Sequence, residues 1–484
     1  MIVFLFLVAV SFFQYTYCIK VLPSPPLIPK IGSLEFLYSS ISNRIIPFLK
    51  RTENELGNIF LLKTGPIIQI WCSDVNKISD LYKKYECSGR SQIQDDSVFG
   101  GEFLFLVRDP DNAKTIKARQ KSFLDKISTM TSVSNAVDTV NISEIISMTI
   151  QRTRTKPGSY SPSSSFPSSS IFDYSSKITN RNGDEIIWPS EVISFASFNA
   201  LIELYLGSQP LTSEEISSLL AAVTGYRKRG LGIVMKMKEI IFNLIGSQDK
   251  KLNYAETITS LLSEAVRRSG VKEEDVLSLL VSATVGGSEI FPLLFQWIVL
   301  RLAVDVQTQD KLYQELRTLQ SSGKKVSSGS LFSSCISACA LDCPVSAAIG
   351  PPRKVIKDFE YEGYAFQKEN LIFAMHPGLK KSPHIAIFEG EGKDFFDGDY
   401  KWPVDLNIEG VKSWPMFGIG TRSCCASQQS MNFLCAMLAS LIKDYKWDVA
   451  NKKDIKKMFL YKEDGSLLVP KENIKLRFTS RRLS

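Results

Sequence analysis

Residues 417 to 427 read FGIGTRSCCAS, two adjacent cysteines behind a Gly-x-Gly turn and an arginine. Glycines at 418 and 420 let the backbone turn tightly enough for successive N–H groups to point at one sulfur. Arg422 can neutralise an acidic group held nearby. The following SQQSMNFLCAMLASLIKDY has helical spacing, so a thiolate in front of it lies at the positive end of a helix. A thiolate that serves as a metal ligand needs such surroundings to stay ionised. A buried turn with two inert thiols is the bland alternative.

The wider composition narrows the chemistry. The chain has 484 residues, 58 of them basic and 50 acidic, and its net charge of +8 is spread along it. Such a length suits one large catalytic domain with an appendage, and the scattered charge disfavours nucleic acid. Only two histidines occur, His376 and His384, in a segment broken by Pro377 and Pro383. A histidine zinc site or a Ser-His triad is therefore disfavoured. The nine cysteines are too sparse for a disulfide scaffold and read as reduced thiols. Cys335, Cys339 and Cys343 repeat every four residues, which suits small buried side chains on one helix face better than an iron-sulfur site.

The N-terminal MIVFLFLVAVSFFQYTYCIK has no charge before Lys20, and LPSPPLIPKIG at 22 to 32 places four prolines in a stiff connector. The expected organisation is a membrane anchor over 1–20, a proline-rich hinge over 21–32 and a catalytic domain over 33–484. A cleaved signal peptide is the alternative for the leader. SLEFLYSSISNRIIPFLKRTENELG has helical spacing, NIFLLKTGPIIQIW reads as two strands around Thr64-Gly65-Pro66, and NKISDLYKKY reads as a helix. The serine- and proline-rich SYSPSSSFPSSS at 159–170 reads as a solvated insertion.

The longest helical pattern runs from about Glu274 to Ala303 and is apolar nearly all round, so it should cross the interior. Gly286 and Gly287 remove side-chain bulk, and Pro292 has no N–H for the carbonyl of Ser288. The result is a notch with space and a free acceptor, with Ser288 and Glu289 beside it. A plain proline-kinked core helix fits the same residues.

Taken together, Phe417, Gly420, Arg422 and Cys424 resemble the Phe-x-x-Gly-x-Arg-x-Cys signature of the heme-thiolate monooxygenases, the cytochrome P-450 superfamily. The signature selects Cys424 over Cys425. The resemblance implies a mainly α fold with a small β region and a heme b whose iron takes Cys424 as axial ligand. It further implies that Phe417 packs on the heme and that Arg422 and Arg353 meet its propionates. VGGSEIF at 285–291 lies where the family has its small-Gly-x-acid-Thr groove, which makes Gly286, Gly287, Ser288 and Glu289 candidates for the reaction side. PPRKVIKDFEYEGYAF resembles the family's segment in which an arginine, here Arg353, meets a propionate, with EGY opening a strand.

Two departures stand out. The family's Glu-x-x-Arg helix should precede Pro344, yet Ala338 and Leu341 hold those places. The usual alcohol after the acid is Ile290, which cannot hold a proton-carrying water. The arginine that usually partners that helix, expected before the heme loop, is also missing from FFDGDYKWPVDLN, and losing both ends of a buried charge network is more consistent than losing one. The resemblance implies oxidation of a lipophilic small molecule with dioxygen and electrons from an NADPH-dependent flavin reductase or a ferredoxin, at the endoplasmic reticulum membrane with the catalytic domain in the cytosol. The alternative is an impaired heme-binding carrier, sensor or scaffold; a secreted binding protein is disfavoured.

Overall fold

The computed structural model describes residues 22–27, 32–41, 45–85, 87, 89, 180–181, 185–189, 193, 197, 287, 290–324, 326, 330–343, 345, 350–376, 416–458, 461–464 and 467–481. The 1–20 leader, the 159–170 insertion, Thr284, Gly286, Ser288 and Glu289 lie outside the described residues.

Near the N-terminus, helices α1 (Leu34–Ile41) and α2 (Ile45–Leu56) precede a hairpin of β1 (Ile59–Thr64) and β2 (Ile67–Cys72). Thr64 pairs with Ile67 across the Gly65-Pro66 turn, in the two-stranded arrangement expected from the sequence. Gly65 has φ +56°, which a residue with a side chain adopts only at a cost. Helix α3 (Val75–Lys84) starts at Asp74, whose carboxylate accepts from the N–H groups of Asn76 and Lys77. Such a cap stabilises a helix by about 1 kcal/mol.

The strand pair β3 (Asn180–Arg181) and β4 (Glu185–Pro189) comes next among the described elements. Helix α4 (Ile290–Ala303) is buried on every side from Phe291 to Ala303, as its mostly apolar sequence requires, with Gln296 and Arg301 buried in it as well. It meets α5 (Val306–Ser321) at a bend of 109°. Asp305 makes that corner: Oδ1 accepts from the Thr308 N–H at 3.0 Å and Oδ2 from its hydroxyl at 2.8 Å, while Arg301 Nη1 lies 3.8 Å from the same Oδ2. Among the described residues no single helix is long and apolar enough to cross a membrane.

Helix α6 (Ser330–Asp342) buries Cys335 and Cys339, with Cys343 buried just beyond its end. The short strands β5 (Arg353–Lys354), β6 (Phe359–Tyr361), β7 (Tyr364–Phe366) and β8 (Leu371–Ala374) follow. The strand expected after Glu362-Gly363 is β7, and those two residues form its turn with φ of +54° and +81°. β1, β2, β8 and β5 make one sheet, in which only the β2–β8 pair is parallel.

Helix α7 (Ser427–Asp444) runs into β9 (Tyr445–Val449), then β10 (Tyr461–Asp464), β11 (Leu467–Pro470) and β12 (Lys475–Ser480). β12 lies between β9 and β4, so the chain end joins a strand nearly three hundred residues earlier. Trp447 fills the core under this sheet, stacked on Phe478 at 5.8 Å between centroids. The buried Gln309 carboxamide donates to the carbonyls of Leu302 and Trp447, both at 2.7 Å, and accepts from the Trp447 N–H at 3.1 Å.

His376, after β8, is buried and bonded to the backbone of Ala340 on α6. Burial pushes its pKa down to about 3, against an ordinary 6.5. The unfolded chain therefore binds a proton that the folded one refuses, and this contribution to stability is lost as pH falls below 6.5. Denaturant unfolding at pH 7 and pH 5 should show His376 costing about 2 kcal/mol over that interval. His376→Gln should remove that part of the pH dependence; an unchanged slope would place the protonated histidine comfortably in the fold.

Candidate heme-thiolate site

The signature residues form a closed knuckle. Gly418 and Gly420 have φ of +77° and +66°. The Cys424 N–H donates to the Phe417 carbonyl at 2.8 Å, and the Ser423 N–H donates to the Gly420 carbonyl at 3.0 Å. The short 3-10 turn Gly420–Arg422 packs against α3. A Cβ built on Gly420 would lie 2.9 Å from the Tyr82 carbonyl oxygen and 3.7 Å from Arg353 Nη1. Close approach as well as backbone conformation therefore requires glycine here.

Of the eight cysteines described, Cys424 is exposed, Cys425 is half-buried, and the other six are buried. Burial raises Cys72, Cys87 and Cys435 to about 12, so those thiols stay protonated. Cys424 is thus the accessible sulfur, in the turn that leads into α7. Phe417 is half-buried at the opposite end of the knuckle, bonded to Cys424 through its carbonyl, and Arg422 is buried.

Arg353 comes to the same place from β5. Its Nη2 donates to the Ile419 carbonyl, and its guanidinium lies over the Tyr82 ring, 3.8 Å from the centroid. The side chain is 4% exposed, yet Nη1 has no hydrogen-bond partner among the described residues. Burial lowers its pKa from the usual value, opposed by Tyr82 and Cys87. A buried N–H of a cation with no acceptor is costly. An acidic group of a ligand seated beside Gly420 would satisfy it, so these residues fit a heme carrying propionates.

On the other helix, Gly287 is helical and half-buried, and Ile290 is 48% exposed at the start of a helix otherwise buried. One residue on, Phe291 stacks on Phe433 of α7 at 5.1 Å. Reading the sequence missed Tyr82 and the Ile419 carbonyl. The Gly420 position hinted at a close approach, but nothing in the sequence identified its partner.

No family model matches the chain. It is 22% identical over 470 residues to a Dictyostelium discoideum protein named "Probable cytochrome P450 518A1", covering 85% of this chain and 90% of that one. It is 26% identical over 227 residues to the ent-sandaracopimaradiene 3-hydroxylase of Oryza sativa subsp. japonica, covering 43% of this chain and 42% of the rice protein. The chain thus matches less than half the length of the rice relative. Its fold matches that of a zebra fish cytochrome P450 solved with progesterone, with a TM-score of 0.62 and 15% identity, over 90% of this chain and 99% of that one. With the whole-length sequence match and the knuckle around Cys424 in agreement with it, the fold is that of the cytochrome P-450 superfamily, which the chain resembles as a divergent relative.

Proposed function

We propose that the protein is a heme-dependent monooxygenase acting on a lipophilic small molecule, with Cys424 as the axial iron ligand. The observation that carries this reading is the meeting of an exposed Cys424, at the head of α7, with a buried Arg353 whose Nη1 lacks an acceptor. Arg353 and Arg422 would hold the propionates, Phe417 would pack on the ring, and Gly420 keeps the loop close to Tyr82. When bound, the heme supplies dioxygen-dependent oxidation of an unactivated C–H bond. Gly286 and Gly287 would leave room for the substrate, while Ser288 and Glu289 would handle protons. Electrons would come from an NADPH-dependent flavin reductase or a ferredoxin. A lipophilic substrate suits the apolar Ile290 and Phe291, and a relative named as an ent-sandaracopimaradiene 3-hydroxylase and a structural neighbour solved with progesterone are in keeping with it.

A second reading, a heme-binding carrier, sensor or scaffold, is favoured by three apolar replacements: Ala338, Leu341 and Ile290. Reductase-driven turnover separates the two.

The reduced carbon-monoxide complex of the heme-loaded protein should show the red-shifted Soret band of a thiolate ligand. Cys424→Ser should abolish it and Cys425→Ser should leave it; the reverse pattern would move the ligand by one residue. A second expectation concerns Ile290, whose side chain is open to its surroundings and has space to accept a hydroxyl and a water. Ile290→Thr should raise product formed per electron consumed by about twofold or more, and an unchanged ratio in a tightly coupled wild type would reveal another proton route. The leader is proposed as an uncleaved anchor in the endoplasmic reticulum membrane. The protein should then resist alkaline carbonate extraction, with Asn141 of Asn-Ile-Ser unglycosylated; a glycan there would put the domain in the lumen.

A further inference from the structure

Tyr82 on α3 touches Arg353 at both ends. Its ring lies against the guanidinium, 3.8 Å from Cζ to the ring centroid. Its hydroxyl donates to the Ile372 carbonyl at 3.3 Å, and Ile372 is the residue that pairs with Arg353 between β8 and β5. The tyrosine therefore grips the strand beside the arginine backbone as well as the far end of the side chain. Its own carbonyl faces Gly420, where a built Cβ would come within 2.9 Å of that oxygen. The adjoining Ile419 carbonyl accepts from Arg353 Nη2. A guanidinium is planar, so a flat ring on one face and an acceptor at Nη2 leave it little freedom to turn. Nη1 then lies beside Gly420, 3.7 Å from that Cβ position.

The ring stands where a buried arginine would call for an acid. Among the described residues no carboxylate pairs with Arg353, and the groups that act on it electrostatically are Tyr82 and the buried Cys87 thiol. A carboxylate at position 82 would hold the guanidinium but cancel its charge. An aromatic face holds it through the ring quadrupole and leaves the charge to act on something else. Both side chains are buried, so water does not compete for either. We propose that Tyr82 is a positioning residue for the cofactor, aiming Arg353 Nη1 at an acidic group of the heme, and that it thereby sets how long the heme stays bound and the reduction potential of the iron. The inference rests on the heme-thiolate reading above and holds for a monooxygenase and for a carrier alike. Without the ring, the guanidinium can swing away and the acidic group loses a fixed partner. A cation held near the iron disfavours the more positive ferric state, so its retreat lowers the potential.

The test uses heme-loaded full-length protein: wild type, Tyr82→Phe, Tyr82→Met, Arg353→Lys and the variant with both Tyr82→Met and Arg353→Lys. The readouts are the rate at which excess apomyoglobin removes the heme and the midpoint potential of the iron. Methionine fills the vacated space with an adaptable chain, and lysine cannot lie flat on a ring while donating from two nitrogens. Tyr82→Met should release heme about fivefold faster or more and lower the potential. Tyr82→Phe, which keeps the ring, should restore both. Arg353→Lys should release heme as fast as Tyr82→Met, and the double variant no faster than either, because both act through one contact. The carbon-monoxide spectrum should keep the thiolate band throughout, and a wild type without that band would defeat the heme-thiolate reading itself. With the band present, a release rate and potential that ignore Tyr82→Met would overturn the proposal, even if the unfolding midpoint falls. So would a Tyr82→Phe that behaves like Tyr82→Met, or rate increases that multiply in the double variant. Arg353→Lys leaves Tyr82 in place and decides alone if Tyr82→Met does not fold: release at the wild-type rate would show that no aimed guanidinium holds the heme.

Discussion

The Gln309 carboxamide is the contact on which the site's geometry depends. A single buried side chain bonds the Leu302 carbonyl near the end of α4 and both backbone groups of Trp447. It therefore joins three elements that belong to separate parts of the sequence: α4, α5 and the α7–β9 corner. Trp447 extends the tie through its indole N–H, which donates to the Val299 carbonyl at 2.9 Å. β12 then closes over it through Phe478. Since α7 is one uninterrupted helix from Ser427 to Asp444, with Trp447 just beyond it, anchoring its far end also aims its near end, and the cysteine loop hangs from that near end. Buried amide networks of this kind are stabilising only when every member is satisfied, which is the case at Gln309.

The second constraint is electrostatic. Arg353 is held by a carbonyl and an aromatic face, neither of which carries a full negative charge. Contacts of that kind orient a guanidinium without neutralising it. The fold thus keeps a cation ready beside the sulfur-bearing loop, in a place where water does not relieve its cost. Strain of this sort is tolerated at binding sites because a ligand recovers it. Gly420 is part of the same arrangement: with a side chain there, the loop would retreat from Tyr82 and the arginine would lose the Ile419 carbonyl.

Much of this was legible in the sequence where local rules govern. The Thr64-Gly65-Pro66 turn, the burial of α4, the small-residue face of α6 and the Cys424 knuckle all follow from spacing and residue type over fewer than fifteen residues. The C-terminal strands were not read in advance, although β12 alternates buried Leu476 and Phe478 with more open neighbours. Its partner β4 lies far away in the sequence, and a six-residue alternation has little weight beside a long helix pattern. Tyr82 was hidden for a related reason: it matters through Arg353 and Gly420, which the fold puts next to it, and a tyrosine on an amphipathic helix carries no mark of such neighbours.

The missing Glu-x-x-Arg pair has a structural answer in the same core. α6 presents Cys335, Ala338 and Cys339 to the interior, and hydrogen bonding to Cys339 together with burial keeps the Cys335 thiol protonated. The buried charges nearby are instead Arg301 and Asp305 at the α4–α5 corner, close enough for Arg301 to act electrostatically on Cys335. An ion pair within one corner orders that corner and needs no partner from another element. A pair reaching out from α6 would instead couple α6 to the segment ahead of the cysteine loop. Removing both of its members spares the fold an unpaired buried charge, but it also removes that long-range tie. What fixes the loop here is then the α7 axis, held through Gln309 and Trp447 at one end and through the Gly420–Tyr82–Arg353 contact at the other.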